Sequence, residues 1–190
     1  MNRLVLVFGI LIGLVATDVA QGQVEKWGSK REPGPDGWRT ADWETKKKIL
    51  LEHYNPTAEE LALIDGALPK KATVKPGKAR RILSFYKCDW PHQSIATGIA
   101  AFDRMGATTG AFSVDTTDDP TVFNKENLAR YDAIMLNNAV RFDTFLNDQQ
   151  RQAFLDAVQG GKGLIGVHGA TSACEEWPEG AEVTLSLIHI

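Results

Sequence analysis

The chain has 190 residues, of which 43% are hydrophobic, 24% are charged and 8% are aromatic. This balance is typical of one globular domain with an additional segment, and it excludes collagen-like, low-complexity and polytopic membrane proteins. The net charge of −3 is unevenly divided: residues 23–81 hold 13 basic and 9 acidic side chains, whereas residues 82–190 hold 7 and 14. Because the part that is predicted to form the core is acidic, nucleic acid is not expected as a partner.

The N-terminus is typical of a secretory signal peptide. A basic start at Arg3 precedes an apolar run over residues 4–16, and Ala20 and Gly22 mark a small-residue cleavage site. The apolar run is shorter than the roughly 20 residues of a membrane span; an uncleaved N-terminal anchor is the alternative. We therefore interpret residues 1–22 as a signal peptide, and we expect an exported protein with no stable membrane span after cleavage.

Residues 23–80 are predicted to form a leader with two helices and a basic linker. The first helix covers residues 42–54. The second begins at a capping box, in which the side chains of Thr57 and Glu60 would each accept a hydrogen bond from the other's backbone N–H. The linker covers residues 70–78, and its positive charges are interpreted as a solvated tether.

From residue 81 onward, short apolar runs alternate with amphipathic segments, which is the pattern of βαβ units and a parallel sheet. The predicted strands cover residues 81–86, 111–114, 133–136 and 163–167. The predicted helices cover 92–105, stopped by Gly106, then 124–130, and one that starts with a capping box at 147–150 and is stopped by Gly160. We expect an α/β domain over residues 81–183, with a flavodoxin-like doubly wound parallel sheet of order 2-1-3-4-5 that is incomplete in this chain.

Polar side chains follow every predicted strand. In a doubly wound sheet, ligands bind beyond the carboxyl ends of the strands, so these turns are the candidate site. The candidate residues in them are Trp90, His92, Asp115, Asn137, Asn138, His168 and Thr171. Four converging polar turns with two histidines favour a functional site, although each histidine alone also fits a structural role at a helix start or strand end.

Other residues in the same turns leave alternatives open. Asp118 and Asp119 fit a turn and helix start better than a pair of acid/base carboxylates. Cys88 and Cys174 could form a disulfide in an exported chain, and neither directly follows a strand as a nucleophile would. Trp177, like the tryptophan after the first strand, could stack on a sugar ring or pack in the core.

Cofactor patterns are sparse. Residues 160–163 lack the spacing of a phosphate-binding loop and precede a strand, and no G-x-G-x-x-G follows the first strand, so no nucleotide cofactor is expected. His92 and His168 could serve as acid and base, or they could hold a divalent metal, for which the sequence shows no third ligand.

Several short stretches, taken together in order, carry a resemblance to a known family. They are residues 67–72, 92–95, 123–128, 131–133, 137–138, 160–163 and 166–171. With these stretches, the chain from about Ala67 to Val183 resembles the ThuA-like family, the trehalose-utilisation proteins, and in particular its exported members.

The resemblance implies a fold of the class I glutamine-amidotransferase type. In that superfamily the residue after the fourth counted strand is a nucleophilic cysteine, and His168 takes this position here, as in ThuA-like proteins. Because an imidazole cannot form the thioester, amidotransferase chemistry is not expected. The family is linked to degradation of trehalose and related disaccharides through 3-keto-glycoside intermediates, which makes a small saccharide the expected partner.

Two functions follow as hypotheses. The first is an exported enzyme in which His168 and His92 are catalytic and the other candidate residues bind the sugar. The second is a non-catalytic carbohydrate-binding or scaffold module, in which the same edge of the sheet binds sugar through Trp90, Asn138 and Asp115. Residues 184–190 resemble translated sequencing-adapter read-through, with a native strand as the alternative, so we expect the family's C-terminal half to be missing from this chain.

Overall fold

A parallel sheet of four strands forms the centre of the structure. The computed structural model describes residues 34–184. The strands are β1 Arg81–Phe85, β2 Ser113–Thr117, β3 Ala133–Asn137 and β4 Gly163–Val167. Their order is β2-β1-β3-β4, and every neighbouring pair is parallel. The predicted α/β class and flavodoxin-like strand order are therefore confirmed.

Helices connect the strands and precede the sheet. Within residues 34–184 the α-helices are α1 Trp43–Lys48, α2 Ala58–Ala67, α3 Ser94–Thr109, α4 Lys125–Leu128, α5 Asp148–Gln159 and α6 Pro178–Thr184. A π-helical turn, Ile49–His53, continues α1, and short 3₁₀ turns lie at Trp38–Thr40, Pro120–Val122, Phe142–Phe145 and His168–Ser172. None of the helices in this part of the chain combines the length and apolar character that crossing a bilayer requires.

Two capping boxes begin helices where the sequence predicts them. In α2 the Thr57 hydroxyl accepts from the Glu60 N–H at 3.3 Å, and the Glu60 carboxylate accepts from the Thr57 N–H at 2.8 Å. In α5 Asn147 and Gln150 make the same exchange at 2.9 and 2.8 Å. Both starts are confirmed because the signal depends only on residues three apart.

Two predicted boundaries are wrong. The helix after β1 continues past Gly106 to Thr109 and ends at Gly110, whose φ of 64° is the left-handed conformation of a helix stop. Gly106 has a packing role instead, because a Cβ there would lie 2.5 Å from the carbonyl oxygen of Phe112. The second strand is shifted toward the C-terminus, so that Asp115 lies in the middle of β2 opposite Leu83.

The two faces of the sheet bury different hydrophobic clusters. Successive strand residues point to opposite faces, and Leu83 and Phe85 of β1 belong to the larger cluster, which α4, α5 and the segment around α6 cover. Trp177 is buried in this cluster, with its ring 5.9 Å from that of Phe154. Trp177 therefore has the packing role that the sequence left open.

The leader packs on the other side of the domain. Its residues Trp38, Leu50 and Tyr54 form a second buried cluster with residues just after β1 and at the start of α3: Tyr86, Cys88 and Ile95. The two predicted leader helices are present as α1 with its π-helical continuation and as α2. The basic linker, residues 70–78, has no regular secondary structure, and its Lys78 forms an ion pair with Asp132 at 2.7 Å. The predictions for residues 1–22 and for the stretch beyond residue 183 stay predictions, because residues 1–33 and 185–190 lie outside the described part of the chain.

Candidate functional site

Two histidines meet at the carboxyl edge of the sheet. His92 lies in the loop after β1, and its carbonyl oxygen accepts a hydrogen bond from the N–H of Ile95 at 3.1 Å as α3 begins. His168 directly follows the last residue of β4. β1 and β4 flank β3 and run parallel to it, so their carboxyl ends share one edge. The two imidazole centroids are 4.5 Å apart, with ring planes at 61°.

The backbone at this edge is held in an uncommon conformation. Asn138, which follows β3, has a φ of 59°, and His168 has a φ of 50°. Left-handed conformations of non-glycine residues cost free energy and persist where surrounding contacts hold them. Here the N–H of Asn138 donates to the carbonyl oxygen of Val167 at 3.0 Å, which ties the two turns together.

The amide of Asn138 determines which nitrogen of His168 carries a proton. Asn138 is buried, and its Oδ1 accepts from the backbone N–H of Gly169 at 3.2 Å. Because a backbone N–H can only donate, the amide atom that faces it is the oxygen. The same oxygen lies 2.9 Å from Nδ1 of His168, so Nδ1 is the donor. In the neutral imidazole, Nε2 then keeps the free lone pair.

His92 has surroundings that favour its neutral form. Burial lowers the pKa of His92 below its ordinary value of 6.5, and repulsion from His168 and Arg39 lowers it further. An imidazole with a lowered pKa is unprotonated at neutral pH. His92 can therefore act there as a proton acceptor.

An open hollow of about 540 Å³ surrounds the histidine pair. It is lined by Trp90, His92, Val140, His168, Gly169, Thr171, Ser172 and Glu175. Trp90 is 50% exposed, so its ring is available to a ligand. The structure thus brings four predicted site residues into one hollow: Trp90, His92, His168 and Thr171. Asn138 lies behind them and supports His168.

Two predicted sugar-binding residues lie elsewhere. Asn137 is the last residue of β3, is 2% exposed, and donates to the carbonyl oxygen of Ile95 at 3.3 Å. Asp115 binds Arg81, the first residue of β1, at 2.5 Å. The sequence predicts Asp115 in the turn after the second strand, and this prediction is wrong. Asp115 lies within β2, because the polar residues 115–117 continue this edge strand. Neither residue is among those that line the hollow.

The neighbouring acidic pair has structural contacts. Asp118 accepts from the indole N–H of Trp43 at 2.7 Å and forms an ion pair with Lys47 at 2.9 Å. Asp119 caps the following 3₁₀ turn by accepting from the N–H of Thr121 at 2.9 Å. These contacts agree with the turn and helix-start interpretation.

Cys88 and Cys174 are both buried thiols that are not joined in a disulfide. Burial raises the pKa of each thiol to about 12, so neither is a thiolate at neutral pH. The amide nitrogen of Asn138 approaches the Cys88 sulfur at 3.8 Å, on the side away from His168. Cys88 therefore contributes to the packing behind the site.

A metal centre needs more than the two imidazoles. Across residues 34–184, no three side chains of His, Cys, Asp or Glu are grouped so that they could hold a metal ion. The residues present thus do not form a protein metal site with the usual three or four ligands. Acid/base chemistry is what the arrangement of the pair supports directly.

Some residues at or near the hollow do not directly follow a strand, so the prediction from the polar turns after the strands does not include them. Glu175 lies seven residues beyond His168, in the continuation of the same turn. A candidate segment extended to residue 175 would have included it. Arg39 and Lys46 contact the loop that carries His92, with hydrogen bonds to Pro91 and Asp89. No local pattern marks these two, because they reach the site only through the packing of the leader.

The ThuA family, described as trehalose utilisation, matches residues 81–185, which is more than half of the chain. The chain belongs to the ThuA family. This ThuA domain begins at β1 and contains both histidines, whereas the leader lies before it. The family resemblance that the sequence suggests is confirmed.

No curated protein matches this member of the ThuA family. Among solved structures, the crystal structure of a ThuA-like protein from Bacteroides uniformis matches with 22% sequence identity and a TM-score of 0.45. The match covers 58% of this chain and 46% of that protein. The chain therefore spans less than half of the length of that ThuA-like protein.

Proposed function

We propose that this protein acts on a trehalose-related saccharide, with the histidine pair as acid and base in the hollow at the carboxyl edge of the sheet. The observation that carries the proposal is the contact between His92 and His168 at 4.5 Å, combined with the Asn138 oxygen that fixes the protonated nitrogen of His168. The family description, trehalose utilisation, supports the substrate class.

The two histidines suit elimination from a 3-keto glycoside. A ketone at C3 acidifies the neighbouring C2–H, and neutral His92 takes that proton as the base. The electron pair of the broken C2–H bond forms the enolate and then the C1=C2 double bond, while the C1–O bond to the aglycone breaks. His168, protonated on Nε2, gives its proton to the departing oxygen, so the products are an alcohol and an unsaturated keto sugar.

Asn138 suits the acid role of His168. When Nε2 of His168 is protonated, the imidazolium still donates Nδ1–H to the Asn138 oxygen, and a hydrogen bond from a charged donor is stronger than one from a neutral donor. The bond therefore strengthens in the form that the proposed acid must adopt before the aglycone leaves.

Two other residues of the hollow fit sugar binding. Trp90 presents an aromatic ring, on which the apolar face of a sugar ring can stack. Thr171 is exposed in the hollow, and its hydroxyl can donate to or accept from a sugar hydroxyl.

The test is turnover of a 3-keto disaccharide by the full chain and by His168→Ala. We expect the variant to lose about 10²- to 10⁴-fold in rate, which is the usual contribution of a positioned acid or base. His53→Ala, which removes an exposed histidine of the leader, is the matched control and should keep the wild-type rate. Undiminished turnover in the His168 variant contradicts the proposal.

A second candidate is a carbohydrate-binding module without catalysis, and the exposed ring of Trp90 favours it. It predicts saccharide binding that survives replacement of both histidines and is lost in Trp90→Ala. Formation of any product from the 3-keto disaccharide counts against this candidate.

Export is part of the proposal and rests on the sequence of residues 1–22. The N-terminus of the protein recovered from the periplasm or medium should be Gln23. Recovery of the chain with Met1 still attached, and only from the cytoplasm, would contradict export.

A further inference from the structure

The loop that carries His92 is held from outside the ThuA domain. We define the histidine loop as residues 86–93 and the leader as its described part, residues 34–68. The family match begins at residue 81, so the leader is additional to the matched domain. The leader nevertheless contacts the histidine loop through side-chain hydrogen bonds.

Three side-chain hydrogen bonds join the leader to the histidine loop. Nζ of Lys46 donates to the carbonyl oxygen of Asp89 at 2.9 Å. Nε of Arg39 donates to the carbonyl oxygen of Pro91, the residue before His92, at 3.2 Å. On the other side of His92, the amide nitrogen of Gln93 donates to the Tyr54 hydroxyl at 3.0 Å. The leader therefore contacts the loop on both sides of the histidine.

The burial of these contacts indicates that they are part of the folded structure. Lys46 is only 8% exposed, and lysine is rarely buried unless its ammonium group has a partner. Leu50 and Tyr54 are completely buried in the cluster that includes Tyr86 and Cys88 of the loop. An apolar cluster and a buried cation together fix the loop against the leader.

On the sheet side, the histidine loop is joined to the turn after β3. The N–H of Asp89 donates to the carbonyl oxygen of Val140 at 3.0 Å. Asp89 thus lies between two partners, with its N–H bound to the sheet side and its carbonyl oxygen bound to Lys46. Loss of the Lys46 bond leaves the carbonyl oxygen of Asp89 without its partner in the leader, while the sheet-side bond remains.

We propose that the leader is a positioning part of the site, in which Lys46 and Arg39 hold the histidine loop so that His92 faces His168. The catalytic meaning of this arrangement rests on the proposed function. The positioning itself does not, because it is measurable on the protein without any substrate.

Neighbouring lysines of α1 provide a matched pair of variants. Lys46→Met removes one of the three bonds to the histidine loop. Lys47→Met removes the ion pair with Asp118, which lies after β2 and keeps its hydrogen bonds from Trp43 and from Tyr86 of the loop. The measurement is NMR on the full chain: the nuclear Overhauser contact between the His92 and His168 ring protons, together with thermal unfolding of each variant. We expect the contact to be lost in the Lys46 variant and kept in the Lys47 variant.

Arg39→Gln gives an independent test, because Arg39 is only half-buried and its replacement leaves the apolar cluster in place. Arg39→Gln removes the bond to the carbonyl oxygen of Pro91, the residue before His92, so the nuclear Overhauser contact between the His92 and His168 ring protons should weaken. This variant decides the outcome if the Lys46 variant does not fold.

The possible results separate clearly. A folded Lys46→Met variant that keeps the histidine contact overturns the proposal, and so does an Arg39→Gln variant that keeps this contact at wild-type strength. Equal loss of the contact in both lysine variants also overturns it, because the leader would then act only through general stability. If the NMR results are as expected but the wild-type protein turns over no 3-keto disaccharide, the positioning stands and the proposed function fails.

Discussion

At the scale of single residues, the two imidazoles differ in what surrounds them. His168 is exposed and donates from Nδ1 to a buried amide. His92 is half-buried and lies near two positively charged or chargeable groups, His168 and Arg39. This difference in surroundings is the reason why we propose His92 as the proton acceptor and His168 as the proton donor.

The lowered pKa of His92 predicts a dependence of stability on pH. The unfolded chain protonates His92 near 6.5, whereas the folded chain does so only at lower pH. Below 6.5 the unfolded state therefore binds more protons. The contribution of neutral His92 to the free energy of unfolding should be present above pH 6.5 and be lost as pH falls through the folded pKa.

The measurement is urea unfolding of the wild type and of His92→Gln between pH 5 and 8, values that bracket the histidine range. The difference in stability between the two proteins should shrink as the pH falls. A constant difference between wild type and the His92 variant across this range would contradict the assignment.

At the scale of elements, local chemistry predicts capped helix starts better than it predicts where an element ends. The capping box of Thr57 and Glu60 needs only residues three apart, so it is visible in the sequence. β2 is not predicted at its observed position because Asp115 and its neighbours are polar, and a strand at the sheet edge tolerates polar side chains. Gly106 looks like a helix stop, but its lack of a side chain serves contact with Phe112, which is not a local property.

The turn after β4 gives a prediction at this scale. A Cβ on Gly169 would lie 2.6 Å from Cγ2 of Val140 and 2.8 Å from Oδ1 of Asn138. Gly169→Ala should therefore move the amide that supports His168 and lower the free energy of unfolding by about 1–3 kcal/mol, the usual cost of overpacking. Chemical denaturation measures the loss, and the nitrogen chemical shifts of His168 measure the change of tautomer.

The control is Gly66→Ala in α2, where a Cβ meets nothing within 4 Å. This variant should be neutral or gain about 0.5–1 kcal/mol, because alanine is favoured over glycine in a helix. Equal stability of the two variants would show that the close approach at Gly169 is not maintained in solution.

At the scale of the whole molecule, the leader and the domain share a core. The helices of the leader are predictable from their local patterns, and the meeting of the β1 and β4 turns follows from the topology of a parallel sheet. The docking of Trp38 and Tyr54 beside Cys88 was not predictable, because apolar side chains show that something must be buried but not which surface buries them. For the same reason the sequence could not identify Lys46 as a neighbour of the site.

Adjacent leucines test whether this shared core stabilises the molecule. Leu50 is completely buried, whereas Leu51 is 37% exposed. Leu50→Ala should lower the free energy of unfolding by about 2–5 kcal/mol, the range for a large-to-small change in a packed core. Leu51→Ala should have a much smaller effect, because less of its side chain is removed from water. Denaturation monitored by tryptophan fluorescence measures both, and similar losses would indicate that the leader is not docked as described.

The edge-to-face contact of the two imidazoles has a spectroscopic consequence. A proton above the face of one aromatic ring experiences that ring's current, so its resonance is displaced upfield. His92 and His168 belong to turns after different strands, 76 positions apart in the chain, and their rings can displace each other's resonances only when both turns are in place. The displaced line therefore serves as a built-in reporter of folding kinetics, because it appears only when β1 and β4 have both paired with β3.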